Sequence, residues 1–264
     1  MACRTCVRRL LPSLSIGLLA LSLAVPVHAD NERERPWPDE WPIDLPPIEG
    51  PLPPSPPPAA QAEPATRAAA RVLEELSDVQ RTMQRTRYQH HPAINPRRGT
   101  YYWDCSLMTH WILRRAHPRS VAHLEDTRRA VAAHFVRAIE RAPTSGWRRG
   151  WRRLEHIERV RPGDVFAWRR PDGFPSRNTG HVGFVVGAPT PVPRIPNAYA
   201  VRVADATGSG HQNDTRPRGS GGGFGLGTLV FLTDGQGHGT HYGWYGTLSG
   251  GYVRTPILFG RVGP

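Results

Sequence analysis

The sequence predicts an α+β domain in which N-terminal helices, one of them opening on a cysteine, pack on a mainly antiparallel sheet. Two observations carry this expectation. Apolar residues recur at helical spacing through the first half of the folded part, and in the second half they gather into short runs bounded by Gly, Pro and Asn. Helices first and consecutive strands after them indicate segregated layers rather than alternating βαβ units. No internal repeat is visible.

Taken in order, the chain of 264 residues opens with Arg4, Arg8 and Arg9 and an apolar run over 10–25, broken mainly by Pro12, Ser13, Ser15, Gly17 and Ser22. Val27-His28-Ala29 then offers a cleavage site, so residues 1–29 are expected to be a Sec-type signal peptide and the mature protein periplasmic or secreted. The apolar core is short for a permanent span, and Asp30 rather than a cysteine follows the site. No membrane anchor is therefore expected after cleavage. Residues 30–63 are dominated by proline, centred on Pro53-Pro54-Ser55-Pro56-Pro57-Pro58. Such a stretch buries too little surface to fold and is expected to be an extended spacer, leaving 64–264 as the folded domain.

Within the domain, residues 65–88 read as an amphipathic helix with Val72, Leu73, Leu76, Val79 and Met83 on one face. A proline-punctuated loop through His90, His91 and Pro96 leads to the cysteine helix, which runs to about Ala116 before Pro118. A further helix is expected over 124–141, with Val131, Phe135, Val136 and Ile139 on its buried side. Arg161-Pro162-Gly163-Asp164 is a turn, and strands are expected over 165–168, 181–187, 199–204, 228–232 and 257–262.

The formal net charge is +12, and the 34 basic residues are all arginine, a pattern of GC-rich codon usage. Arg148-Arg149 and Arg152-Arg153, set beside Trp147 and Trp151, superficially resemble a basic-aromatic patch. For an exported protein an anionic envelope polymer is the nearer partner and a solvated face nearer still, so no nucleic-acid partner is expected.

Cys105 is the one cysteine that remains once Cys3 and Cys6 leave with the signal. It sits in Tyr101-Tyr102-Trp103-Asp104-Cys105-Ser106, where Asp104 is a good N-cap and Met108, Trp111, Ile112 and Arg115 come after it at helical spacing. A helix N-terminus favours a thiolate over a thiol. The plain alternative is a buried cysteine acting as a small hydrophobe. A cysteine nucleophile needs a base and a polar group to orient it. His181 begins one expected strand and Asp205 closes the next, so neighbouring strands would bring them together. His211 and Asp214 compete for the orienting role, but a strand end is held more rigidly than their glycine-flanked loop.

Asp104-Cys105-Ser106, then Arg161-Pro162-Gly163-Asp164-Val165, then Gly180-His181-Val182-Gly183 and a polar residue on the following strand resemble the NlpC-type branch of papain-like cysteine peptidases, the bacterial cell-wall endopeptidases and amidases. The resemblance covers roughly residues 95 to 210. It implies a papain-like fold, Cys105 as nucleophile, His181 as base and then acid, and Asp205 where many members carry a histidine. It also puts Tyr101 or Tyr102, with Asp104 and Ser106, near the substrate. It implies amide hydrolysis in peptidoglycan stem peptides, with peptidoglycan or another envelope polymer as partner and no cofactor. Leu107 departs from the pattern, standing where the usual glycine lies two residues beyond the cysteine. An acyltransferase and a non-catalytic envelope-binding module are the other functions compatible with the pattern, and no feature sets an oligomeric state.

Two remaining motifs are expected to be chemically silent. The glycine-rich run 219–227 lacks the Lys-Ser/Thr ending of a phosphate loop and is expected to be a flexible loop bordering the cleft. His238 and His241 lie in a glycine-rich turn with no helical His-Glu-x-x-His motif, so no metal site is expected.

Overall fold

The computed structural model describes residues 62–124, 129–173, 178–193, 195–208, 210–217, 220–244 and 252–264. The expected signal peptide and nearly all of the expected spacer lie outside these residues. The described part is mixed α+β, with three helices against an antiparallel sheet whose central strands close into a six-stranded barrel.

Thr66 starts α1 (Arg67–Thr82): its hydroxyl accepts from the Ala69 N–H at 3.0 Å and donates to the Val262 carbonyl at 2.7 Å. Val72, Leu76 and Val79 form its buried stripe. The helix stops six residues short of the expected Tyr88 because a small sheet claims the next part of the chain. The N–H groups of Gln84 and Arg85 both donate to the Gly99 carbonyl at 2.9 Å. From there β1 (Arg85–Tyr88) pairs in parallel with β3 (Thr100–Trp103), and β2 (Ala93–Asn95) pairs antiparallel with β3 on its other side. Strand alternation turns Tyr101 and Trp103 inward, onto Trp111 at centroid distances of 6.2 and 5.7 Å.

The chain passes straight from β3 into α2 (Cys105–Ala116), whose Met108, Ile112 and Leu113 are fully buried. The helix expected over 124–141 is shorter, α3 (Ala132–Glu140). Before it, residues 118–120 and 122–124 form tight turns. Ser120 donates to the His117 carbonyl at 2.8 Å, and the Trp151 indole donates to the Ser120 carbonyl at 2.7 Å. Of the residues expected in the helix, Leu124 is taken into the second of these turns, its N–H on the Val121 carbonyl at 2.8 Å, and Val131 is extended at the start of α3.

The main sheet contains β4 (Trp151–Leu154), β5 (Val165–Arg169), β6 (Gly180–Val185), β7 (Thr190–Pro191), β8 (Ala198–Thr207), β9 (Gly223–Thr233), β10 (Gly239–Trp244) and β11 (Val253–Val262), all antiparallel to their neighbours. Strands β5, β6, β8, β9, β10 and β11 succeed one another around the barrel, and β10 closes it on β11 through Tyr242 opposite Val253. The two-residue period divides the apolar residues. Phe166, Trp168, Val185, Val203, Leu229, Phe231, Tyr242 and Phe259 fill the barrel. Val165, Ala167, Val182, Phe184, Ala204 and Ala206 face outward onto the helices. At the Arg161-Pro162-Gly163-Asp164 turn, the buried Asp164 carboxylate accepts from the Arg161 N–H at 2.8 Å and from Arg261 at 2.8 Å on each oxygen. This bidentate pair ties the start of β5 to the end of β11.

The expectation of a flexible glycine-rich loop is corrected for residues 223–227 of the run. From Gly223 it is the first half of β9, paired residue by residue with β8 from Thr207 opposite Gly223 to Val203 opposite Gly227. Gly223, Gly225 and Gly227 recur at the strand period, so one face of β9 carries no side chains there.

Candidate active site

The position of Cys105 is set by its helix cap. Asp104 Oδ1 accepts from the Leu107 N–H at 2.9 Å and from the Ser106 hydroxyl at 3.1 Å. Its other oxygen takes His90 Nδ1 at 2.9 Å and the Arg129 guanidinium. The intrahelical ladder begins with the Met108 N–H on the Asp104 carbonyl at 3.0 Å. The N–H groups of Cys105 and Ser106 lie ahead of that ladder and point out of the helix start, next to the thiol. Asp104 is thus a structural cap whose two oxygens are occupied by the protein itself, and Ser106 is buried on the same carboxylate.

His181 and Asp205 occupy inward-facing positions on β6 and β8, beyond the point where those strands pair through Phe184 opposite Ala204 and Val185 opposite Val203. His181 Nε2 lies 2.7 Å from Asp205 Oδ2. The imidazole rests against Trp168, at a centroid distance of 5.0 Å, and Trp168 stacks in turn on Tyr242 at 4.1 Å. Gly183 makes the approach possible: a Cβ there would stand 2.9 Å from the Asp205 Cβ and 2.8 Å from the Phe166 ring.

Cys105 and His181 are joined by a side-chain hydrogen bond. Asp205 occupies Nε2, which leaves Nδ1 for Cys105. Burial disfavours the imidazolium, but the charge of Cys105, the bond to Asp205 and the bond to Cys105 outweigh it and raise the His181 pKa to about 10. Both residues are buried, with 4% of Cys105 and 7% of His181 exposed, and Cys105 packs with the helix-side core.

Asp205 has two more side-chain partners. His211 Nε2 lies 2.8 Å from the same Oδ2, and the Arg216 guanidinium donates to Oδ1 and, at 2.7 Å, to the Asp205 carbonyl. Burial alone would push the Asp205 carboxyl up, yet His211, Arg216 and the bond from His181 hold it well below the ordinary carboxylate range. Burial holds His211 below its ordinary value, so it is a neutral donor there. As a carboxylate accepts only, both imidazoles present Nε2–H to it.

The structure therefore brings Cys105, His181 and Asp205 into one chain of contacts. It puts His211 and Asp214 one step further out: Asp214 accepts from the His211 and Arg216 backbones at 2.7 Å each and from the Arg216 side chain at 2.6 Å. Tyr101 is a core residue, its hydroxyl 2.7 Å from Thr82 Oγ1, while Tyr102 is half-buried on the opposite face of β3. Leu107 is also half-buried, packed on the edge of the helix core. Sequence reasoning missed Arg216. The signal that points to it is the alternation of glycines at 223, 225 and 227, which marks a strand face approached by other groups.

Among the described residues no group of three or more His, Cys, Asp or Glu side chains is arranged to hold a metal ion. His238 pairs with Asp234 at 2.9 Å, and His241 is half-buried in β10 beside Thr240 at 2.9 Å. No described helix is long and apolar enough to cross a membrane. Comparison of the chain with protein-family models, curated proteins and solved structures finds no match.

Proposed function

We propose that this protein is an exported thiol hydrolase of the papain-like, NlpC type, which cleaves an amide bond through a cysteinyl acyl-enzyme. The observation that carries the reading is His181, hydrogen-bonded to the Cys105 thiol on one side and, at 2.7 Å, to the buried carboxylate of Asp205 on the other. A cysteine that served only to fill space would have no use for a buried, charge-stabilised imidazole.

In this mechanism the Cys105 sulfur attacks the scissile carbonyl carbon, and the oxygen takes up negative charge near the Cys105 N–H at the helix start. The His181 imidazolium gives its proton to the leaving amine as the C–N bond breaks. Water then attacks the thioester, His181 takes the proton of that water, and the C–S bond breaks to release the acid. Asp205 keeps His181 in the Nε2–H form and balances its positive charge at both stages.

Peptidoglycan stem peptides are the proposed substrate, supported by the expected signal peptide and by the resemblance around Cys105 and His181. The test is incubation of the purified protein with peptidoglycan and mass spectrometry of what is released. New free amino and carboxyl termini with the wild type, and none with Cys105→Ser, support the reading. Identical products from both proteins count against it.

A further inference from the structure

Residues 210–216 run beside the first half of β9, on the side away from β8. Gln212 bridges to Thr228, and the Thr215 N–H donates to the Leu226 carbonyl at 2.9 Å. From that edge two side chains cross the bare face of β9 to reach β8. The Arg216 side chain passes over Gly225, where a Cβ would stand 2.5 Å from its Cγ, and Gly225 lies directly opposite Asp205. His211 passes over Gly227, where a Cβ would stand 2.5 Å from the His211 Cβ. Both side chains are almost wholly buried. The guanidinium is fully engaged at its target, with Nε on the Gly223 carbonyl at 2.7 Å and the remaining nitrogens on Asp205 and Asp214.

We propose that Arg216, with His211 beside it, is a positioning residue that keeps Asp205 ionised and aimed at His181. The inference rests on the thiol-hydrolase reading of Cys105 and His181. Its physical basis is the cost of a lone carboxylate in this place: Asp205 is fully buried, and burial by itself favours the neutral acid. Arg216 supplies the compensating charge from the side of the carboxylate that His181 does not use. His211 supplies a second N–H to the oxygen that His181 shares, and so limits rotation of the carboxyl group. The glycines at 225 and 227 are the sequence's accommodation of these two side chains.

The experiment is the rate of Cys105 alkylation by iodoacetamide against pH, which needs no knowledge of the substrate. Without Arg216, Asp205 takes up a proton at a higher pH, and an uncharged Asp205 no longer supports the imidazolium that partners the thiolate. The acidic limb of the profile is therefore expected to move up by about one pH unit or more in Arg216→Gln. Arg216→Lys, which keeps the charge, should recover part of the shift. Gly225→Ala leaves the charge in place but displaces the Arg216 side chain, so it serves where Arg216→Gln fails to fold, and it should move the limb in the same direction. Near-ultraviolet circular dichroism establishes that each variant is folded.

A limb that coincides with that of the wild type in the folded Arg216→Gln and Gly225→Ala proteins overturns the inference and leaves the hydrolase reading standing. A wild-type profile that is indifferent to His181→Ala overturns the hydrolase reading, and this inference with it.

Discussion

Asp205 Oδ2 accepts from both His181 Nε2, at 2.7 Å, and His211 Nε2, at 2.8 Å, while its Oδ1 is held by Arg216. One carboxylate thus orders two imidazoles and neutralises a guanidinium. This arrangement makes Asp205→Asn a sharp test. The Arg216 guanidinium demands the amide oxygen, which leaves the amide NH2 facing the two ring nitrogens that now donate. His181 must then change tautomer or turn away. Activity is expected to fall by roughly 10³–10⁴-fold with the fold intact, the size of loss seen when the carboxylate of a Ser-His-Asp triad becomes an amide. A loss below tenfold would remove Asp205 from the proposed machinery.

The protonation of His181 is tied to Cys105. The raised pKa, about 10, means that the imidazolium persists through neutral pH and is lost only as pH rises through that value. In Cys105→Ser the charge and the hydrogen bond of the sulfur disappear, while burial continues to act in the opposite direction. The His181 titration should then move down. Nitrogen chemical shifts of labelled histidine at about pH 8, above the ordinary value for a free imidazole, should report a doubly protonated ring in the wild type and a neutral ring in Cys105→Ser.

Gly183 and Gly235 make a matched pair of probes. A Cβ at Gly183 would press on the Asp205 Cβ, the Ala204 carbonyl and Phe166 at 2.8–2.9 Å, whereas a Cβ at Gly235 meets nothing within 4 Å. Gly183→Ala is expected to destabilise the protein by about 1–3 kcal/mol and to slow alkylation, because β6 and Asp205 must part. Gly235→Ala should change stability by less than about 0.5 kcal/mol. Thermal melts of the two variants check both statements.

The Asp164–Arg261 pair separates stability from chemistry. Arg261→Leu strands a buried carboxylate and is expected to cost about 3–5 kcal/mol in a denaturant titration. It should leave the pH profile of Cys105 alkylation in place at temperatures where the variant is folded, because neither residue contacts Cys105, His181 or Asp205.

Much of the site is legible in local pattern. The Asp104 cap, the helix opening on Cys105 and the alternation that puts His181 and Asp205 on one face of their strands depend only on neighbours in sequence, although Asp205 lies within β8, which runs on to Thr207, and does not close it. Features that depend on distant partners are not legible there. The pattern over 65–88 is helical throughout, but the Gly99 carbonyl and β3 take residues 84–88 into a sheet. Closure of the barrel needs β10 to find β11, which nothing in either strand announces. Tyr101 and Tyr102 are chemically alike, and only their opposite faces on β3 distinguish a core residue from a half-buried one. The composition of the glycine run suggests flexibility, whereas its period of two matches the strand pairing of β9, whose face is left bare for His211 and Arg216.

The central claim is that Cys105 and His181 act as a pair. The most direct measurement is the rate of Cys105 alkylation against pH in the wild type and in His181→Ala. The account predicts fast alkylation that persists well below about pH 8 in the wild type and is lost in the variant. A slow thiol whose rate rises only in alkali, and which is the same in both proteins, would contradict it.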